Sequence, residues 1–187
     1  MTQMNNKTSL IKFLVKEWQK DKYTDKLQSK LLFIASEGKC WKITAERSEE
    51  VEALASTHEE ADGRMLLHAG HAAEAGFEAV VICSEDTDVF VLCLAFSDQI
   101  HVPLFQKSGT QTRTKLIDIG KIAAAIGNEV CKALVGLHAF TGCDSVSAFA
   151  GKGKVRALEL VKKNPSVREA FVELGENWTL TPELFER

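Results

Sequence analysis

The first third of the chain changes from a helical to a strand-like hydrophobic pattern. Apolar residues spaced three and four apart recur over residues 9–23, with lysines on another face, which predicts an amphipathic helix. Short apolar runs at 30–36 and 40–44 flank a Glu37-Gly38 turn and predict two strands. This part of the chain is therefore expected to contain one helix and one pair of strands.

The middle of the chain predicts a helix followed by a buried strand. Ser56 and Thr57 each precede a glutamate by three residues, which is the capping-box spacing, and the predicted helix runs to Gly76. The apolar run at 79–83 predicts a buried strand. The next apolar segment, 89–96, is compatible with a strand or a buried helix, because its period does not distinguish the two.

The remaining pattern alternates strands with helices. Strands are predicted at 100–106 and 115–119, with a polar loop between them, and Asp118 is placed to cap the next helix. The predicted helices span 120–126, 129–139 and 155–163, and another opens at Asn164-Pro165-Ser166. This alternation predicts an α/β fold with a largely parallel sheet and right-handed connections.

Composition narrows the class of protein. The 187 residues fit one globular domain with a net charge of −3, and no apolar run approaches the roughly 18 residues of a membrane span. The N-terminus lacks the apolar core of a signal peptide. The five cysteines form no CxxC pair, which argues against a zinc ribbon or a disulfide scaffold. We expect a reducing location, nuclear or cytoplasmic, and no membrane partner.

Carboxylates collect where an α/β sheet usually binds ligands. The stretch Ser84-Glu85-Asp86-Thr87-Asp88 follows the strand predicted at 79–83, so Asp86 and Asp88 lie beyond its carboxyl end. Further acidic residues lie in the first turn of the preceding helix and in the turn after helix 129–139, and these are Glu60, Asp62 and Asp144. Carboxylate oxygens spread over several elements are the ligands that Mg²⁺ and Mn²⁺ prefer.

The same carboxylates also have a purely structural interpretation. Ser84 and Asp86 both suit a helix N-cap, and Asp144 can end its helix through a local side-chain turn. Glu60 and Asp62 lie on different faces of their helix, whereas Glu59 and Asp62 share a face, so the choice between Glu59 and Glu60 as a ligand stays open.

The histidines do not add a metal site. His68 and His71 lie three residues apart on one helix, but no third soft ligand lies near them in the sequence, which disfavours zinc. His58 and His138 are expected to pack against apolar residues or to cap helices.

Glycines and positive charges coincide at a predicted helix start. The residues concerned are Gly151, Lys152, Gly153, Lys154 and Arg156. Their spacing excludes a Walker A motif, but exposed backbone amides beside cationic side chains can bind phosphate. The alternative is an ordinary helix start, for which glycine is a common residue.

Four short motifs follow one another within residues 56–165. They are Glu60-Ala61-Asp62, Glu85-Asp86-Thr87-Asp88, Gly142-Cys143-Asp144 and the Gly151, Gly153 and Ala157 set. In this order and spacing they resemble the internal region of flap endonuclease/XPG-type 5′ nucleases, within the PIN-like superfamily. The chain resembles more closely a group of animal PIN-like proteins, some of them transposon-derived, with HEEAD, SEDTDV and HAFTGCD signatures.

The resemblance implies both an architecture and an activity. The architecture is a three-layer, Rossmann-like nuclease core over 1–150, continuous with a helix–turn–helix clamp for the nucleic-acid backbone over 151–187. The activity is divalent-metal-dependent cleavage of phosphodiester bonds in flap or similar structures, with DNA favoured over RNA. It implies catalytic roles for Asp86, Asp88, Glu60 and Asp62, with Asp144 as a further ligand for Mg²⁺ or Mn²⁺. The clamp would contact phosphate through Gly151, Lys152, Gly153, Lys154 and Arg156.

The chain also departs from the family's pattern. That pattern begins with a strand ending in a metal-binding Asp, and residues before 56 offer no such context, since Asp21 and Asp25 lie in a lysine-rich helical stretch. We therefore expect a ligand set that lacks two members and a chain shortened at both ends. The alternative function is a catalytically inactive module, derived from such a nuclease, that binds nucleic acid or protein.

Overall fold

The computed structural model describes residues 2–57, 61–144, 146–148, 150–151 and 153–176. The chain forms two compact units, Met1–Arg64 and Met65–Arg187. The predicted boundary between residues 150 and 151 falls inside the second unit, so that division stays a prediction. Each unit has its own group of buried apolar side chains, which are described separately below.

The first unit combines a helical segment with an antiparallel meander. Its helices are α1 (Thr2–Trp18) and α2 (Asp21–Thr24), and its strands are β1 (Leu32–Ser36), β2 (Lys39–Ile43) and β3 (Ser48–Glu50), in the order β1-β2-β3. The predicted turn joins β1 to β2, and both of its residues have positive φ, +49° at Glu37 and +82° at Gly38. Such values are typical of tight hairpin turns. A short 3-10 turn at Glu52–Leu54 follows β3.

A small apolar cluster stabilises the first unit. Val15 of α1 is buried together with Ile34 of β1 and Ile43 of β2, and Trp41 packs at the edge of this group. The face of α1 that contacts the strands carries Val15 and Ile11, whereas Leu10, Phe13 and Trp18 of the predicted apolar face are exposed, so the amphipathic pattern predicted for 9–23 has a partner only in part. The single helix predicted there is two helices, with a break between Trp18 and Asp21.

The second unit is mainly helical around a small sheet. Helix α3 (Ala61–Glu74) begins in the first unit and continues into the second, and it ends before Gly76, which has φ +84°. The remaining elements are β4 (Val80–Cys83), α4 (Thr87–Ala95), β5 (Leu104–Ser108), β6 (Lys115–Asp118), α5 (Ile119–Ile126), α6 (Asn128–Phe140), α7 (Lys154–Lys163) and α8 (Pro165–Glu176). The ambiguous segment 89–96 is therefore a helix, and its residues Val89 and Cys93 are fully buried.

The predicted α/β class is confirmed, but the prediction of a mostly parallel sheet is wrong for the described strands. They form two separate three-stranded sheets, and only β4 and β5 pair in parallel. Strand β6 pairs antiparallel with β5, because the connection at 109–114 is too short for a crossover. Gly109 closes this connection with φ +92°, and a Cβ there would overlap the Arg113 carbonyl oxygen.

Helices α4, α6 and α8 supply much of the core of the second unit. Cys131, Leu134 and Leu137 of α6 are buried against Cys93 of α4 and Phe171 of α8. The strands add Ile82 and Leu104 to the same core.

Two glycines allow α6 and α8 to approach closely. A Cβ on Gly136 would overlap the carbonyl oxygen of Phe171, and a Cβ on Gly175 would lie 3.2 Å from the Gly136 nitrogen. Backbone meets backbone here, so neither position has room for a larger residue without displacement of a helix.

Among the described residues, no single helix is long and apolar enough to cross a membrane. Helices α5 and α6 meet that length and hydropathy criterion only when taken together, and they are bent by 99° at Gly127.

Candidate functional site

The acidic stretch after β4 forms an ordered turn that begins α4. The Ser84 backbone N–H donates to the Lys107 carbonyl at 3.1 Å, which extends the β4–β5 pairing by one residue. Asp86 is the N-cap of α4: its Oδ1 accepts the backbone N–H of Asp88 at 2.9 Å, and its own N–H donates to Ser84 Oγ at 3.0 Å. The predicted N-cap role of Asp86 is confirmed.

Gln106 of β5 holds this turn through two hydrogen bonds from its side chain. Its side chain is only 3% exposed, and its Nε2 donates to the carbonyl oxygens of Ser84 at 3.0 Å and Asp86 at 3.3 Å. Its Oε1 is buried without a hydrogen-bond partner among the described residues. The amide orientation is set by the two carbonyls, because only the NH₂ group can donate to them.

Asp88 makes a second connection, to helix α6. His138 Nε2 lies 2.7 Å from Asp88 Oδ1, and the two side chains are 13% and 31% exposed. An ionised carboxylate can only accept a hydrogen bond, so the imidazole donates from Nε2. His138, predicted to pack or to cap, is largely buried, and its ring in addition restrains the carboxylate of a predicted site residue.

These contacts engage one oxygen of each central carboxylate. Asp86 uses Oδ1 for its cap and Asp88 uses Oδ1 for His138. The other oxygen of each carboxylate, Oδ2, is not used in these two contacts. The pair therefore offers two hard oxygen donors in the first turn of a helix, where the helix dipole favours negative charge.

Glu85 has a different role from its two acidic neighbours. Its Oε1 accepts the backbone N–H of Gly109, which connects the acidic turn to the tight loop after β5. That contact restrains both loops at the same edge of the sheet, so Glu85 is a structural residue of the turn.

The other predicted ligands lie on other elements of the chain. Asp62 lies in the first turn of α3 and belongs to the first unit, whereas Glu59, Glu60 and His58 lie outside the described residues. Asp144 is exposed in the turn after α6, beside the bridge between Cys143 and Val146. Within the described ranges, no three His, Cys, Asp or Glu side chains are grouped so that they could hold a metal ion.

The glycine loop leads into α7 one residue earlier than predicted. Gly153 is the N-cap of α7 and provides no side-chain cap, and Gly151 has φ +73°. Lys154 is the first helical residue, and its Nζ donates to the Gly142 carbonyl, so this ammonium is used within the protein. Arg156 is exposed in the first turn of the helix, and Lys152 lies outside the described residues.

Gly142 is required by the geometry of the turn in which Asp144 lies. It has φ +95°, and a Cβ there would lie 2.7 Å from the Cβ of Ala148. The glycine of the Gly142-Cys143-Asp144 motif thus has a steric reason that is independent of any ligand.

Two buried thiols belong to the core of the second unit. Burial raises the pKa of Cys93 in α4 to about 11, and it also raises the pKa of Cys131 in α6. Both thiols are therefore protonated near neutral pH and act as small apolar side chains of the core.

The contacts of Gln106 and His138 were not predicted, but both residues stand out in the residue pattern. Gln106 occupies an inward position of β5, two residues after buried Leu104. Leu134 follows Cys131 by three residues and His138 follows Leu134 by four, so His138 lies on the same face of α6 as these two buried residues. A polar residue at a buried position of an apolar pattern usually has a specific partner.

Comparison of the chain with family models, curated proteins and solved structures finds no match.

Proposed function

We propose that this chain is a nuclease-like domain of the PIN-like, flap-endonuclease type, which hydrolyses phosphodiester bonds of DNA or RNA with a divalent metal. The observation that carries the proposal is the position of Asp86 at the N-cap and of Asp88 in the first turn of α4, just past the carboxyl end of β4. Ligands of α/β sheets bind at such strand ends. We also propose that the second unit derives from a three-layer PIN-like fold.

The donor chemistry of the acidic turn fits Mg²⁺ or Mn²⁺. Asp86 and Asp88 would hold the ion, with Glu60, Asp62 and Asp144 as the further ligands that the family resemblance implies. A divalent ion, when bound, supplies activation of water and neutralisation of charge on the phosphate.

The protein's own residues would prepare this turn for its ligand. Gln106 fixes the backbone of Ser84 and Asp86 through its two hydrogen bonds. His138 restrains Asp88, so that its carboxylate keeps one orientation. Restrained ligands lose less conformational freedom on binding, which favours affinity.

A second candidate function is a non-catalytic module that binds nucleic acid or protein. It is favoured by the engagement of Asp86 Oδ1 and Asp88 Oδ1 within the protein. This function predicts salt-sensitive binding of nucleic acid without metal-dependent turnover.

Asp86→Asn separates the two roles of Asp86. Asparagine is as good an N-cap as aspartate, so the helix start is kept while the charge is removed. With flap and single-stranded oligonucleotides in Mn²⁺, we expect the wild-type protein to cleave and the variant to lose at least about 100-fold in rate, the scale of one lost charge contact.

Asp118→Asn is the matched control for this experiment. Asp118 caps α5 through the Lys121 N–H at 3.0 Å, and it lies at the opposite edge of the same sheet. The Asp118→Asn variant should cleave like wild type. Equal cleavage by Asp86→Asn and wild type would remove the metal role of Asp86, whereas oligonucleotide binding without cleavage in Mg²⁺ or Mn²⁺ would favour the non-catalytic module.

A further inference from the structure

A cavity of about 580 Å³ lies among α6, α7 and α8, within the second unit. Its volume is within the usual range for small-molecule sites, roughly 300–1,000 Å³. Neither Asp86 nor Asp88 lines it, so it is distinct from the acidic turn. The lining residues that matter for its chemistry are Phe140, Gly153, Arg156, Ala157, Leu160 and Phe171.

The apolar wall of the cavity is aromatic and held in place. The rings of Phe140 and Phe171 pack edge to face, with centroids 5.5 Å apart and an interplanar angle of 69°. Phe171 is buried, whereas Phe140 remains 46% exposed although it lines the cavity. A fixed aromatic ring with accessible surface is a platform on which another flat ring can stack.

The rim of the cavity is positively charged. Arg156 and the amide end of α7 at Gly153 both line it, and Gly153 supplies no side-chain cap. Lys154 is turned to the Gly142 carbonyl, which leaves the Arg156 guanidinium as the cation of the described lining. An occupant with a flat apolar body and an adjacent anionic group would complement both parts of the cavity.

We propose that this cavity takes one unpaired nucleotide, with its base against Phe140 and its phosphate at Arg156. The proposal rests on the proposed nucleic-acid function and specifies its substrate. A base of a duplex must leave its stack and its pair before it can enter the cavity, which costs a few kcal/mol. The cavity therefore selects single-stranded segments. Because the lining is mainly apolar, the base is bound by its face and its identity is not read.

The test measures binding without turnover. Anisotropy of a labelled single-stranded oligonucleotide, and of its duplex, is recorded in EDTA for wild type and Phe140→Leu. One stacked base contributes about 1–3 kcal/mol, so the variant should bind the single strand about 5- to 150-fold more weakly. Its duplex binding should be unchanged, and 2-aminopurine fluorescence in the single strand should change on binding to wild type only.

Phe77→Leu is the matched control, because Phe77 is 47% exposed and lies outside the cavity lining. A second comparison guards against a folding defect in Phe140→Leu. Leu160→Glu places a carboxylate in the cavity wall, whereas Val155→Glu places one at an exposed position of the same helix outside the lining. Leu160→Glu should weaken single-strand binding more than Val155→Glu.

Arg156→Gln tests the phosphate contact, with Arg113→Gln as its exposed control in the 109–114 loop. Loss of one phosphate contact lowers the salt slope of single-strand binding by about 0.7. Arg113→Gln should keep the wild-type slope. Equal slopes for wild type and Arg156→Gln would overturn the assignment of Arg156.

Other outcomes separate the cavity from the wider function. Equal affinity of wild type and Phe140→Leu for single strand would overturn the nucleotide site but leave nucleic-acid binding intact. Failure of wild type to bind either oligonucleotide would overturn both. A change of sedimentation with Phe140→Leu, without a change of oligonucleotide binding, would assign the cavity to contact with a second copy and would also overturn the proposal.

Discussion

His138 Nε2 lies 2.7 Å from Asp88 Oδ1 and thereby joins the last turn of α6 to the first turn of α4. The two residues are 50 positions apart in the sequence. Their hydrogen bond connects a helix of the core to the acidic turn, so the position of the turn depends on the packing of α4 against α6.

His138→Ala should lower the free energy of unfolding by about 1–2 kcal/mol. The substitution removes a charge-assisted hydrogen bond. Because Asp88 is partly exposed, water replaces part of the hydrogen bonding that its carboxylate loses. Urea denaturation measures the change. His138→Gln retains an amide donor and should lose less. His101→Ala, at an exposed histidine, should have no effect, and an equal response of the two alanine variants would contradict the structural role of His138.

Gly136→Ala should destabilise the second unit by about 1–3 kcal/mol, because its Cβ overlaps the Phe171 carbonyl and forces α6 and α8 apart. Gly70→Ala is the control, since it is also within a helix but has nothing within 4 Å of the new Cβ. It should stabilise by about 0.5–1 kcal/mol through helix propensity alone. Thermal or urea unfolding compares them, and shifts of the same sign would contradict the close helix approach.

Asp118 should titrate below its ordinary pKa of 3.8, chiefly because the Lys121 backbone N–H stabilises its carboxylate. Its contribution to folding is complete above that ordinary pKa and is lost as the pH falls through the lower pKa of the folded state. The carbon shift of the side-chain carboxyl, followed against pH, gives the midpoint. A midpoint at or above 3.8 would contradict the cap, and Asp118→Asn should remove this part of the acid dependence.

Cys83 should react with a thiol reagent at pH 8 well before Cys93. Cys83 is exposed, whereas Cys93 is buried and burial raises its pKa from 9.0 to about 11, which lowers its thiolate fraction about 100-fold. Absorbance on reaction with Ellman's reagent resolves the phases. Cys143 is partly exposed, so it is replaced by Ser in every protein compared. In that background Cys83→Ser should remove the fast phase and Cys93→Ser should not; a fast phase that survives Cys83→Ser would contradict the assignment.

Local features of the fold were predictable because they depend on neighbours in the sequence. The hairpin turn and the end of α3 follow from Gly38 and Gly76, which accept positive φ, and the cap at Asp118 follows from a side chain that accepts a backbone N–H. The parallel pairing was not predictable in this way. It depends on how residues 84–103, including α4, pack between β4 and β5, whereas the antiparallel pairing of β6 is set by the short loop at 109–114.

The candidate site was predictable in part. The position of Asp86 and Asp88 after a strand is visible in the residue pattern, since an apolar run precedes them. The partners of these residues are not, because His138 and Gln106 reach the turn through tertiary packing. Distant pairs of this kind depend on how helices and strands pack, which the sequence period does not specify.

The two pairings of β5 differ in the length of chain that must be closed to form them. Strands β5 and β6 are joined by residues 109–114, whereas β4 and β5 are separated by residues 84–103, including α4. The entropic cost of closure grows with the length of the loop, so the β5–β6 hairpin should form first. The strand end that carries Asp86 and Asp88 is then completed only as α4 docks, which makes the acidic turn a late product of folding.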